Sequence, residues 1–259
     1  MAILATMLSA AQNGLLVFTA VVCSLFFMAV LNRFWPHDKR RTHNDLIGWQ
    51  LSVLGTTYAV ILGFMLYAVW TSFGAAERNV AREASALVNV YELASGLAPE
   101  DAEKLKSLTQ RYCEAVLHFE WREMDANVRP QETHAIIQQM WAALMESRAA
   151  GQREQLAEDH TLSELDSLAK YRRIRLVDMA RRLPGVLWFT LLVGAVVTIA
   201  SSWMFGAESR TFHAFQVSVL TIVIAITLAA IADINRPFQG TVHVSDFAFR
   251  QAQAKMTGN

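Results

Sequence analysis

Four stretches of the chain carry no Asp, Glu, Lys or Arg: residues Met1 to Asn32, Leu46 to Ala76, Leu183 to Ala207 and Thr211 to Ala232. Each is long enough to cross a hydrocarbon layer about 30 Å thick as a helix of about 20 residues. A charge at the centre of such a helix costs roughly 2.5–3.5 kcal/mol, so the runs predict four membrane spans. Tryptophans fall near their borders. Trp35 and Trp49 flank the first loop, Trp70 follows Trp49 by 21 residues, about 31 Å of helix, and Trp188 and Trp203 bracket much of the third span.

Between the second and third runs the pattern changes. Of 46 charged residues, 33 lie from Glu77 to Arg182, a polar insert of 106 residues that is large enough to bury a small core of its own. The organisation expected is therefore spans one and two over residues 1–76, an insert over 77–182, spans three and four over 183–234, and a short tail over 235–259. The fold class is an all-α integral membrane protein with four transmembrane helices and a helical bundle inserted between the second and third.

The second charge-free run is 31 residues long, about 46 Å as a helix, which exceeds the bilayer core. Nothing breaks it at Glu77, and Val80, Ala84, Leu87, Val88 and Tyr91 continue at helical spacing until Gly96 and Pro99. One long helix is predicted from about Asp45 to Ser95. Pro99, with Glu100 and Asp101, opens a second insert helix carrying Leu105, Leu108, Tyr112, Val116 and Phe119 on one face. Pro130 opens a third, with Ile136, Ile137, Met140, Trp141 and Leu144. Thr161 and Glu164 have capping-box spacing ahead of a fourth, through Leu165, Leu168, Tyr171 and Ile174, which runs on to the third span at Pro184.

Basic residues near the span ends divide ten against five, the ten (from Arg78 to Arg250) lying on the insert's side. This favours an inner-membrane, multi-pass protein with the insert and both termini cytoplasmic. The N-terminus lacks the basic region and cleavage site of a secretory signal, so the first span is expected to remain. Net charge is zero and only Cys23 and Cys113 are present, both read as packing residues.

Catalytic signatures are absent from the sequence: there is no phosphate-binding glycine loop, no H-E-x-x-H and no G-x-S-x-G. His37, Asp38, His43 and Asp45 lack the spacing of a metal site, so no enzyme activity, metal or cofactor is expected, and no nucleic-acid partner. The second span carries a more specific pattern. Ser52, Thr56, Ala59 and Gly63 form a small, weakly polar stripe with Trp49 and Trp70 beyond its ends. Such a face either packs tightly against another span or, repeated around an axis, lines a pore. Lys39, Arg40 and Arg41 at the mouth of that helix would then form a basic ring that concentrates anions; the alternative is that they contact lipid phosphates or set topology. Arg172, Arg173 and Arg175 are read as a solvated or lipid-facing helix surface.

The strings HNDLIGWQLSVLGTTYAVILGFMLYAVW, ERNVAREASALVNVYELA, RYCEAVLHFEW, LPGVLW and NRPFQGTVHVS, in that order, resemble the bestrophin-like family of bacterial membrane proteins. The resemblance spans about His43 to Phe247 and implies four spans with a helical insert. It also implies kinship with bestrophins, which are pentameric anion channels. Its last string marks Asn235, Arg236, Pro237, Phe238 and Gly240 as a structural motif, with Asn235 where many members carry Asp. The acidic calcium clasp of bestrophins has no counterpart after Gly240. The expectation is a homo-oligomeric channel for inorganic ions in a lipid bilayer, passing anions; the alternative is a non-conducting scaffold or sensor that binds a cytoplasmic partner through its insert.

Overall fold

The computed structural model describes residues 2–126, 128, 132–147 and 151–258, with side chains from residue 11 onward except 37, 38 and 132. Every regular element among the described residues is helical. In chain order they are α1 (Ala2–Phe34), α2 (His37–Arg40), a 3-10 turn (Arg41–His43), α3 (Asn44–Ala94) and α4 (Pro99–Ala115). A π-helical turn (Val116–Glu120) follows, then α5 (Trp121–Asp125), α6 (Glu132–Glu146), α7 (Gln152–Ala180), α8 (Gly185–Trp203), α9 (Arg210–Ile234) and α10 (Phe247–Thr257). The four charge-free runs fall in α1, α3, α8 and α9, and four helical segments are long and apolar enough to cross a membrane.

The chain divides into two compact units, Met1–Thr71 with Arg182–Asn235, and Ser72–Arg181 with Arg236–Asn259. In the first, α1 packs along α9, and α8 touches both. Tyr58, Leu62 and Val69 on one face of α3 meet Leu191 and Ala195 of α8 and Ile224 and Ile231 of α9. Lipid tails are as apolar as these side chains, so close packing and interhelical hydrogen bonds have to hold the helices together. Tyr58 supplies both: its hydroxyl donates to the Leu191 carbonyl at 2.8 Å, and its ring occupies the space where a Cβ on Gly194 would sit, 2.5 Å away.

The long helix is continuous. α3 has 51 residues, about 76 Å at 1.5 Å per residue. Its Val80, Leu87, Val90 and Ala94 enter the core of the second unit. α4 starts with Pro99 at its first position and Glu100 and Asp101 in its first turn, where the missing N–H costs nothing and the carboxylates face the positive end of the helix dipole. Leu105, Leu108, Tyr112 and Val116 are buried as expected, but Phe119 is 54% exposed and Glu120 is buried in its place. The π-helical turn is the cause: its wider repeat advances the inward face by one residue.

Three other expectations change. Thr161 does not start a helix: α7 runs unbroken from Gln152, after Gly151, to Ala180, and the Thr161 hydroxyl bonds back to the Ala157 carbonyl at 2.6 Å, a mid-helix habit of Ser and Thr. Nor does α7 run on into the third span. Arg181 is extended and α8 begins only after Pro184, which lacks an N–H and disfavours helix in the residue before it. The segment after Gly240 forms a helix, α10, whose Phe249, Ala252 and Met256 are buried in the second unit. Pro130 lies outside the described residues. Of the two thiols, Cys113 is buried and Cys23 is exposed.

Candidate functional site

On α3, a stripe about 110° round the helix from Tyr58, Leu62 and Val69 is uncovered. Ser52, Thr56, Ala59 and Gly63 are all exposed and at 100° per residue fall within an arc of about 60°. A Cβ on Gly63 would meet nothing within 4 Å. Trp49 and Trp70 are exposed beyond the two ends of the stripe, and Val60, Phe64 and Tyr67 flank Gly63 around a shallow apolar depression of about 460 Å³.

The three basic residues at the head of α3 do not act alike. Lys39 and Arg41 are exposed, and Arg41 pairs with Glu208 at 3.4 Å. Arg40 is fully buried. Its guanidinium donates to the Trp203 carbonyl and to Asn32 Oδ1, tying the first loop to the ends of α1 and α8. Arg40, buried and hydrogen-bonded inside the protein, is thus set apart from the exposed Lys39 and Arg41.

The motif after α9 is assembled around a reversal of the chain. Asn235 caps α9 while its Oδ1 accepts from Leu183 N at 3.1 Å; an amide oxygen serves this bond as a carboxylate would. Val244 N returns to the Pro237 carbonyl at 2.7 Å, and Gly240 has φ +85°, where a side chain would be strained. Phe238 is buried edge-on against the Trp121 ring, with centroids 6.0 Å apart. Arg236 is exposed.

The second unit also holds a charge network. Arg175 donates from Nε to Glu83 Oε2 at 2.7 Å and from Nη2 to Glu83 Oε1 at 2.9 Å and Glu120 Oε2 at 2.6 Å. Arg172 reaches Glu120 Oε1 at 2.9 Å and Thr133 Oγ1 at 2.6 Å, and Thr133 in turn donates to Glu120. Tyr112 donates to Glu83 at 2.6 Å. Trp121 and Phe249 turn their ring faces toward the Arg175 guanidinium at 5.8 and 5.9 Å. Arg172 and Arg175 are thus core residues, which corrects their reading as a solvated surface; Arg173 is exposed.

Two arginines against two glutamates make the cluster neutral, and shared hydrogen bonds satisfy charges that burial would otherwise penalise. Burial pushes the Glu120 carboxyl up, but Arg175 and Arg172 beside it, with the Thr133 hydroxyl, outweigh this and hold it below its ordinary range. Burial, with Glu83 as its neighbour, lifts the Tyr112 phenol well above its usual value. One signal of the network was present in the sequence: Arg172 and Arg175 continue the three-and-four spacing of Leu165 and Leu168, as Glu83 does between Val80 and Leu87. Among the described residues no group of His, Cys, Asp or Glu has the arrangement of a metal site.

The fold is similar to that of several solved structures. A single-substitution variant of a bacterial bestrophin homologue from Klebsiella pneumoniae matches with a TM-score of 0.69 at 13% identity, covering 95% of this chain and 99% of that one. A second variant from the same organism matches at 0.63 and 16% identity, covering 96% and 100%. A further structure, described as a membrane protein, matches at 0.70 and 14% identity, covering 94% and 97%. No curated protein sequence matches the chain. The model of the Bestrophin-like domain matches residues 18–249, and the chain, with its four apolar helices and helical insert, belongs to the Bestrophin-like family.

Proposed function

We propose that the protein is a homo-oligomeric ion channel, conducting anions, with the α3 stripe of Ser52, Thr56, Ala59 and Gly63 lining the pore. The observation that carries this reading is the division of α3 into two faces. One is packed on α8 and α9, and the other is left uncovered by its own subunit, with the small, weakly polar stripe running beside exposed Val53, Val60, Phe64 and Tyr67. Copies arranged about an axis would place that face on water, and the hydroxyls of Ser52 and Thr56 would solvate passing ions. Lys39 and Arg41, exposed at the head of the same helix, supply the positive potential that favours anions. The insert is assigned to the cytoplasm on the ten-to-five distribution of basic residues.

The rival reading, a non-conducting scaffold, needs this face to be covered within one subunit, and it is open there. Gly63→Phe in reconstituted liposomes separates the two. It is expected to abolish chloride flux with assembly intact, because the ring enters open space. A wild-type protein that passes neither anions nor cations at any pH or voltage overturns the channel.

A further inference from the structure

A groove of about 1180 Å³ runs between α6 and α7 in the second unit. Ile137 and Trp141, one helical turn apart on α6, face Ala169 and Leu176 of α7 across an apolar floor. Val177 at its edge is 61% exposed. Concave apolar surface of this extent is the mark of a binding site more than of ordinary protein surface.

Charge is unequally placed along it. Asp166 lines one part of the α7 wall, whereas Arg173 and Arg181 line the part nearer the helix's C-terminal end. Arg172 also borders the groove, but its guanidinium is taken up by Glu120 and Thr133. Arg173 is exposed and has no partner among the described residues. The basic part also belongs to the stretch of chain that leads into the membrane. Arg181 precedes the first residue of span α8, Gly185, by four residues, no more than about 14 Å of backbone.

A long apolar trough with the unpaired charge of Arg173 toward its membrane-leading end calls for a ligand with an anionic head and a hydrocarbon tail, drawn from the bilayer. We propose that the groove holds an anionic phospholipid, its phosphate on Arg173 and Arg181 and one acyl chain along Ile137, Trp141 and Leu176. Charge complementarity selects the anionic head, and the trough is wasted on a head without a tail. The site is separate from the α3 stripe and does not depend on conduction.

The test uses the full chain in phosphatidylcholine vesicles containing increasing fractions of phosphatidylglycerol, with either lipid carrying brominated acyl chains. The readout is quenching of Trp141 fluorescence, taken as the difference between wild type and Trp141→Phe. Brominated phosphatidylglycerol is expected to quench at a mole fraction well below that needed for brominated phosphatidylcholine. Arg173→Gln should shrink this preference about fivefold, the worth of one basic residue at a lipid surface. Ala169→Trp, which fills the trough, should remove quenching by both lipids without changing thermal unfolding. Equal quenching by the two lipids, or a preference unaltered by Arg173→Gln, overturns the proposal. So does absence of quenching together with cross-linking of Ile137→Cys between copies in a Cys23→Ser background, which would make the occupant a second copy of the chain.

Discussion

Arg175 of α7 holds Glu83 of α3 with two hydrogen bonds, Nε to Oε2 at 2.7 Å and Nη2 to Oε1 at 2.9 Å, across 92 residues of sequence. The pair is completely buried, so neither side chain gains from water what it loses if the other is removed. Arg175→Met leaves Glu83 without a counter-charge and Glu120 with Arg172 alone. The expected loss is about 3–5 kcal/mol, read as a lowered midpoint of thermal unfolding followed by Trp121 fluorescence. An unchanged midpoint would mean that the carboxylates find other partners.

The pH dependence follows from Glu120. Its carboxyl is held below the ordinary carboxylate range in the folded state, so the folded protein releases this proton more readily than the unfolded chain does. The stability it contributes is fully present above the unfolded-state value, near pH 4.3 for a free Glu, and is lost as pH falls through the lower folded value. Unfolding of the insert should therefore steepen in acid below about pH 4, and Glu120→Gln should flatten that limb while lowering stability at neutral pH. An acid limb identical in both proteins would show that other carboxylates govern it.

Phe238 offers a test of the motif after α9. Its ring is buried edge-on to Trp121 in a segment whose return is fixed by the Val244 to Pro237 bond. Phe238→Ala is expected to cost about 3–5 kcal/mol, the usual range for removing a fully buried aromatic ring. Unchanged thermal stability and assembly would show the motif to be a surface tail.

Gly194 is the corresponding test in the membrane unit. A methyl group there would lie 2.5 Å from the Tyr58 ring, and the ring is held by its bond to Leu191. Gly194→Ala should destabilise by about 1–3 kcal/mol through overpacking. Gly194→Ala combined with Tyr58→Leu, which removes the planar ring, should recover part of that loss. No recovery would place the strain elsewhere in α8.

What the sequence made legible was what repeats along one helix. The four charge-free runs, the passage of α3 through Glu77 and the buried stripe of α4 all follow from periodicity, which a single helix carries in its own residues. Arg172 and Arg175 were in register with Leu165 and Leu168, yet residue type alone sent them to the surface. Glu120 was hidden for another reason: the π-helical turn shifts the inward face by one residue, so regular spacing selects Phe119 instead. Arg40 was misplaced because its acceptors, Asn32 and the Trp203 carbonyl, come from two other helices. Such pairings depend on tertiary geometry that no local pattern encodes. The unbroken α7 belongs to the same class, since Thr161 and Glu164 match a cap motif whose fulfilment depends on the turn before it.

The separation of Arg40 from its neighbours gives the functional reading its sharpest consequence. Lys39 and Arg41 are exposed, so Lys39→Gln with Arg41→Gln should lower anion flux without altering the unfolding midpoint. Arg41 lies beside Glu208, but an exposed pair of this kind is worth at most about 1 kcal/mol, which leaves the fold intact when it is lost. Arg40→Gln should behave oppositely, lowering stability because the loop loses its anchor to α1 and α8. Salt distinguishes steering from a general defect. At 0.01 M ionic strength the Debye length is about 30 Å and a basic mouth acts at long range; at 1 M it is about 3 Å and the advantage vanishes. Chloride flux in reconstituted liposomes should thus differ most between wild type and the double variant at low salt and converge at high salt. Equal flux at every ionic strength would remove Lys39 and Arg41 from the conduction path, while the Gly63→Phe result on the α3 stripe would stand on its own.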